Sequence, residues 1–129
     1  MKTASFFTYF GPGRISIARA APRGMAGFRV YRALAPGAWF NTVPYTRYVE
    51  LYSEQLAKLD AAHVRSHLLA LVAPAEPVLL CWERPPLREP SAADPEGNWC
   101  HRTMVTAWFK AELGEILTEV ERSRHGQHP

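Results

Sequence analysis

The 129 residues suit one domain with a real buried core and leave little room for a second. At 47% hydrophobic and 21% charged the composition is that of an ordinary globular protein, and no apolar run approaches the roughly 20 residues of a membrane helix. A formal charge of +3 and a pI near 9.1 permit contact with phosphates without requiring it.

Phe6, Phe7 and Phe10 lie in a run too short, and too broken by Ser5 and Thr8, for a secretory leader. The expectation is therefore a cytoplasmic protein with no membrane partner. Two cysteines do not make a disulfide framework, and in a reducing compartment Cys81 and Cys100 are expected as thiols, metal ligands or redox partners.

Thr3 to Phe10 is aromatic and β-branched and stops at Gly11, Pro12 and Gly13, the pattern of a strand and a turn. Arg14 to Arg19 alternates, with Ile15 and Ile17 on one face and Ser16 and Ala18 on the other, as a short second strand does. Arg19 ends it beside a Pro- and Gly-containing loop, where a guanidinium projects over a sheet edge or stays a solvated surface group. Phe28 to Leu34 reads as a third extended segment, and Trp39, Phe40 and Val43 as an aromatic plug on the core or a surface for stacking.

From Thr46 the spacing of Tyr48 or Val49, Tyr52, Leu56 and Leu59 predicts a helix. Asp60 is placed to cap a second, with Val64, Leu68, Leu71 and Val72 as its stripe and Pro74 and Pro77 as its stop. His63 and His67 stand one turn apart on it, but no acidic residue completes a metal pattern and surface histidines are the better reading. Pro77 to Glu83 is an almost continuous apolar run, as in a central strand covered on both faces.

Residues 84–98 form a Pro-rich loop of unusual length, Trp99 to Leu113 a last helix, and Gly114 its left-handed stop. Ile116, Leu117 and Val120 predict a final edge strand or helical tail, and 121–129 a frayed end. The elements together predict an α/β fold: one compact domain, 1–129, with a short, mostly parallel sheet flanked by helices.

On the last helix His101 and Trp108 are one heptad apart and differ in direction by only about 20°, so His101 points toward the sheet. Cys100 and Arg102 flank it at about 100° per residue. With Asn98 as the cap, Cys100 falls in the first turn, where free amides and the helix dipole favour a thiolate or a bound anion. Parallel sheets bind ligands at the carboxyl ends of their strands, the edge expected to hold Cys81, Glu83 and Arg19.

The segment LLCWE followed by CHR at a helix start, preceded by an arginine-ended strand, resembles the bacterial family catalogued as domain of unknown function 488. The opening GPGRISIAR and the segment LAPGAWFN resemble one branch of it, and the likeness covers nearly the whole chain. The resemblance implies a compact α/β domain with a signature falling on Cys81, Glu83, Cys100, His101, Arg102 and Arg19; it implies no reaction. The chain departs from the wider family in carrying Ile17 where an acidic residue is usual, in replacing a helix by Gly11, Pro12 and Gly13, and in the length of the 84–98 loop.

These residues support several readings. One is a site for an anion such as a nucleotide or a nucleic-acid end, with Arg19, Arg102 and Cys81 on the anion, Cys100 as nucleophile, and His101 or Glu83 as acid or base. A metal held by Cys81, Cys100 and His101, with Glu83 to complete the set, is disfavoured, because neighbours on a helix diverge by about 100°. No metal ligand is assigned, and the cofactor is left unknown. The plain structural reading buries both cysteines, lets His101 satisfy a strand carbonyl and pairs Arg102 with Glu83. A nucleic-acid-binding module would instead use Arg14, Arg19, Arg23, Arg29 and Arg32 with Trp39 and Phe40.

Overall fold

The computed structural model describes residues 1–121, and the predicted tail lies almost wholly outside them. The order of elements is β1 (Lys2–Ser5), β2 (Arg14–Ser16), β3 (Arg29–Val30), α1 (Tyr45–Ala57), α2 (Ala61–Val72), β4 (Val78–Cys81), α3 (His101–Leu113) and β5 (Thr118–Val120). The five strands make one sheet in the order β3-β2-β4-β1-β5, and every neighbouring pair is parallel. This is the α/β fold with a parallel sheet that the sequence predicts.

β4 is the central strand, paired on both sides and buried at all four positions. Its alternation sorts the core into two layers. Leu79, with Ile15 and Ile17, faces Tyr52 and Leu56 of α1, Val64 and Leu68 of α2, and Val105 and Phe109 of α3. Val78 and Leu80, with Ala4 and Ala18, face the other way, against Phe6, Phe7, Met25 and Phe28 from the connecting loops. All three helices thus cover one face, and aromatic loop residues cover the other. Phe6, fully buried, contributes about 1.5–3 kcal/mol, and the partly buried Phe7 and Phe28 add less, so short loops stand in for a helical layer.

That second layer explains why the first strand is shorter than predicted. Past Ser5 the chain turns, with the Thr8 amide donating to the Ser5 carbonyl at 3.1 Å, so that Phe6 and Phe7 fold back over the sheet. The third segment is shorter as well: after Val30 it winds into a 3-10 turn at Arg32–Leu34. Gly13 sits at φ 86° against the Glu76 carbonyl, where a Cβ would collide, and its own carbonyl accepts from Val78 at 2.8 Å. The Gly-Pro-Gly turn is therefore the close approach that aligns β2 with β4.

The helices follow their predicted spacing. α1 starts one residue before Thr46 and buries Tyr48, Tyr52 and Leu56 at four-residue steps. The Asp60 carboxylate accepts from the His63 amide at 3.1 Å, the cap expected of it. α3 stops at Gly114 with φ 67°, whose amide donates to the Lys110 carbonyl at 3.0 Å. The final segment is the edge strand β5.

Candidate functional site

Because all strands run the same way, their carboxyl ends collect at one edge. The register sets Ser5 opposite Cys81 and Ser16 opposite Leu80, so Ile17 to Arg19 and Cys81 to Glu83 leave the sheet side by side. α3 begins over this edge. Its cap is Cys100, not Asn98: Cys100 has extended backbone (φ −146°, ψ 149°), and the helix starts at His101. The Asn98 side chain is committed elsewhere, donating to the Arg84 carbonyl at 2.7 Å and the Pro86 carbonyl at 2.9 Å, while Arg88 and Asn98 pair their backbones. The Pro-rich loop is thereby cinched at its neck.

Cys100 being outside the helix changes what it can reach. The divergence of about 100° expected between Cys100 and His101 does not apply to a cap residue. The Cys81 and Cys100 sulfurs are joined as a disulfide, with Cα atoms 7.0 Å apart, in place of the separate thiols also considered. His101 Nδ1 stands 3.5 Å from the Cys81 sulfur and 3.7 Å from that of Cys100. The two sulfurs and the imidazole form one cluster, correcting the geometric objection to their facing one point.

The other ring nitrogen fixes the tautomer. His101 Nε2 lies 2.7 Å from the Ile17 carbonyl, which only accepts, so Nε2 carries the hydrogen and Nδ1 turns its lone pair to the sulfurs. Burial pushes the imidazole pKa down to about 4; the Arg102 cation pushes the same way, against the Ile17 bond. At neutral pH His101 is thus uncharged, donating from Nε2 to Ile17 and offering Nδ1 as an acceptor to the sulfurs. Ile17, notable in the sequence for the carboxylate it lacks, contributes its carbonyl here while its side chain packs in the core. The plain structural reading of the sequence, with His101 on a strand carbonyl, holds at this contact.

A cleft of about 750 Å³ opens above the cluster. Its walls are aromatic, from Phe40, Tyr48, Trp82 and Trp99, with Arg19, Glu83 and Glu96 as the charged groups. Trp82 is fixed by its indole N–H on the Ala20 carbonyl at 2.7 Å. Arg19 lies over the Phe40 ring, 5.4 Å from its centroid, and donates to the Pro36 carbonyl at 3.0 Å. Glu83 is half-buried with one carboxylate oxygen unpartnered; burial raises its pKa, opposed by a backbone hydrogen bond and by Arg102. Burial and the nearby Glu83 also raise the Tyr48 pKa, so that side chain stays a phenol.

Arg102 is placed differently from Arg19. It is fully buried, is not part of the cleft wall, and donates from Nε and Nη2 to the Glu119 carboxylate at 3.0 and 2.8 Å. Its contact with Glu83 is to the backbone carbonyl, at 2.7 Å, and not the carboxylate. The pairing with Glu83 considered from the sequence is therefore replaced by one with Glu119 on β5. Nothing local in the sequence singles out Glu119, which also accepts from Thr3 Oγ1 at 2.7 Å.

Among the described residues, Cys81, Cys100 and His101 are the one group of three ligating side chains within reach of a single ion. His63 and His67 stack on α2, with His67 Nδ1 bonded to the Tyr31 hydroxyl at 2.9 Å. The basic and aromatic residues of the nucleic-acid reading divide between places: Trp39 packs edge-on against Tyr48, Arg14 reaches the Gly11 carbonyl, and Arg19 with Phe40 lies in the cleft. No helix among the described residues is long and apolar enough to cross a membrane. Comparison of the chain with protein-family models, with curated proteins and with solved structures finds no match.

Proposed function

We propose that the cleft is the working site and that Cys81 and Cys100 carry out reversible dithiol–disulfide exchange with a small substrate. The observation that carries this reading is the sulfur–sulfur–imidazole cluster, buried yet lining the cleft. Cys100 is the attacking residue, because it is the cap residue at the start of α3, where the helix dipole favours a thiolate. His101 Nδ1 accepts the S–H hydrogen bond of whichever cysteine is protonated and so orients the pair.

In the oxidising direction for the protein, the Cys100 thiolate attacks one sulfur of a substrate disulfide and the first substrate thiolate leaves. The Cys81 thiolate then attacks the Cys100 sulfur, closing the protein disulfide and expelling the second thiolate. Two electrons pass from the cysteine pair to the substrate, and the two cysteine protons end on the departing thiols. Both cysteines are at most 2% exposed, which confines the partner to a slim group able to enter between aromatic walls.

An anionic substituent on that partner is part of the same reading, supported by Arg19 and the start of α3. A nucleotide or nucleic-acid end is its narrower form, with Glu83 and Glu96 on the same walls opposing a large negative charge. Kinship with the domain of unknown function 488 family and a cytoplasmic setting are proposed with it; the meeting of the C-x-E and CHR segments at one edge supports the first.

The test is a redox titration of the folded chain in glutathione buffers, with alkylation reporting free thiols. The reading expects the pair to open and close reversibly while far-UV circular dichroism stays native. A pair that remains closed until the chain unfolds makes the disulfide structural and ends the exchange reading.

A further inference from the structure

Resting on the proposed reversibility of the cysteine pair, we infer that its reduced form is a three-ligand site for a zinc-class divalent ion, with a fourth position open to the cleft. In a tetrahedral site with Zn–S of about 2.3 Å and Zn–N of about 2.0 Å, neighbouring ligand atoms stand roughly 3.3–3.8 Å apart. The two sulfur–imidazole distances, 3.5 and 3.7 Å, already have that spacing. Only the sulfurs have to part, as reduction of their bond allows.

The imidazole is prepared as a ligand and not merely near. Its Nε2–H is spent on the Ile17 carbonyl at 2.7 Å, the outer contact by which metal-binding histidines are held and their free nitrogen aimed. Two thiolates and an imidazole are soft donors that select zinc over magnesium or calcium. All three residues line the cleft, so a water or a substrate atom completes the coordination from that side.

The same two sulfurs make the site redox-gated. Hydrogen peroxide takes two electrons from the two thiolates; the S–S bond forms, the O–O bond breaks, two protons complete two waters, and the divalent ion leaves because its sulfur ligands are gone. Metal occupancy and disulfide formation are thus mutually exclusive states of one cluster.

Cobalt(II) is the probe, added to the 129-residue chain after reduction under anaerobic conditions, with thiols counted by alkylation first. The expected result is one cobalt per chain with the visible bands of tetrahedral coordination and a thiolate charge-transfer band, both displaced by zinc and abolished by hydrogen peroxide. His101→Gln should weaken binding by roughly ten-fold or more. Should that variant fold poorly, the comparison of reduced with oxidised wild-type chain serves alone, since zinc must raise the melting temperature only of the reduced form. Two free thiols in a folded chain without the cobalt spectrum overturn the metal site and leave exchange standing; a pair that cannot be reduced while folded overturns both.

Discussion

His101 joins the three parts of the site: its ring touches both sulfurs on one side and the carbonyl after β2 on the other. Its depressed pKa has a consequence for stability. In the unfolded chain a histidine binds its proton near pH 6.5, and here only near pH 4, so between those values the unfolded state holds more protons. Stability therefore rises with pH across this window, and is lost as pH falls through it. The expected loss from pH 6.5 to pH 4 is about 3 kcal/mol from this residue. Urea unfolding across that range checks it, since His101→Gln should flatten the slope; an unchanged slope would put the titration elsewhere. The heptad relation with Trp108 made the inward direction of His101 legible in the sequence. The start of α3 was misplaced by two residues because Asn98, a good cap residue, is held by loop carbonyls that no local pattern announces.

At the scale of elements, α3 is held to the sheet by charge as well as by packing. Arg102 carries a buried cation onto the last strand through Glu119, whose side chain keeps about a quarter of its surface exposed. Removing one partner of such a pair strands the other, at a cost of about 3–5 kcal/mol where both are buried and toward the low end here. Glu119→Ala should therefore destabilise the chain by about 3 kcal/mol, and the double variant Arg102→Met with Glu119→Leu should recover much of it; equal loss in both would mean that packing, not charge, is what Glu119 supplies. The Asp60 cap is a smaller device, and Asp60→Ala should cost about 1 kcal/mol by thermal unfolding. The helices and the central strand were legible because burial imprints a period on Tyr48, Tyr52 and Leu56, and an unbroken apolar run on Val78 to Leu80. Phe6 and Phe7 carried no such mark. Their strand-like composition serves a loop layer that only the folded sheet gives a surface to cover.

For the whole molecule, the parallel sheet is what turns scattered residues into a site. Cys81 and Cys100 are separated by 19 positions, and Ile17 by many more, yet the common strand direction delivers all three to one edge under the start of α3. The meeting of Arg19, Cys81 and Glu83 at that edge was legible. A strand carbonyl as the partner of His101 was legible in the plain structural reading, though not that Ile17 supplies it; the bonding of the sulfurs and the transfer of Arg102 to Glu119 were not, because each depends on contacts between distant segments. The central claim is that this cluster exchanges disulfides through Cys100. Its most direct measurement is to offer the reduced chain a small aromatic disulfide and compare two variants by mass spectrometry. Cys81→Ser should trap one mixed disulfide on Cys100, while Cys100→Ser should label far more slowly. Equal and slow labelling of both, in chains that remain folded, would contradict the account.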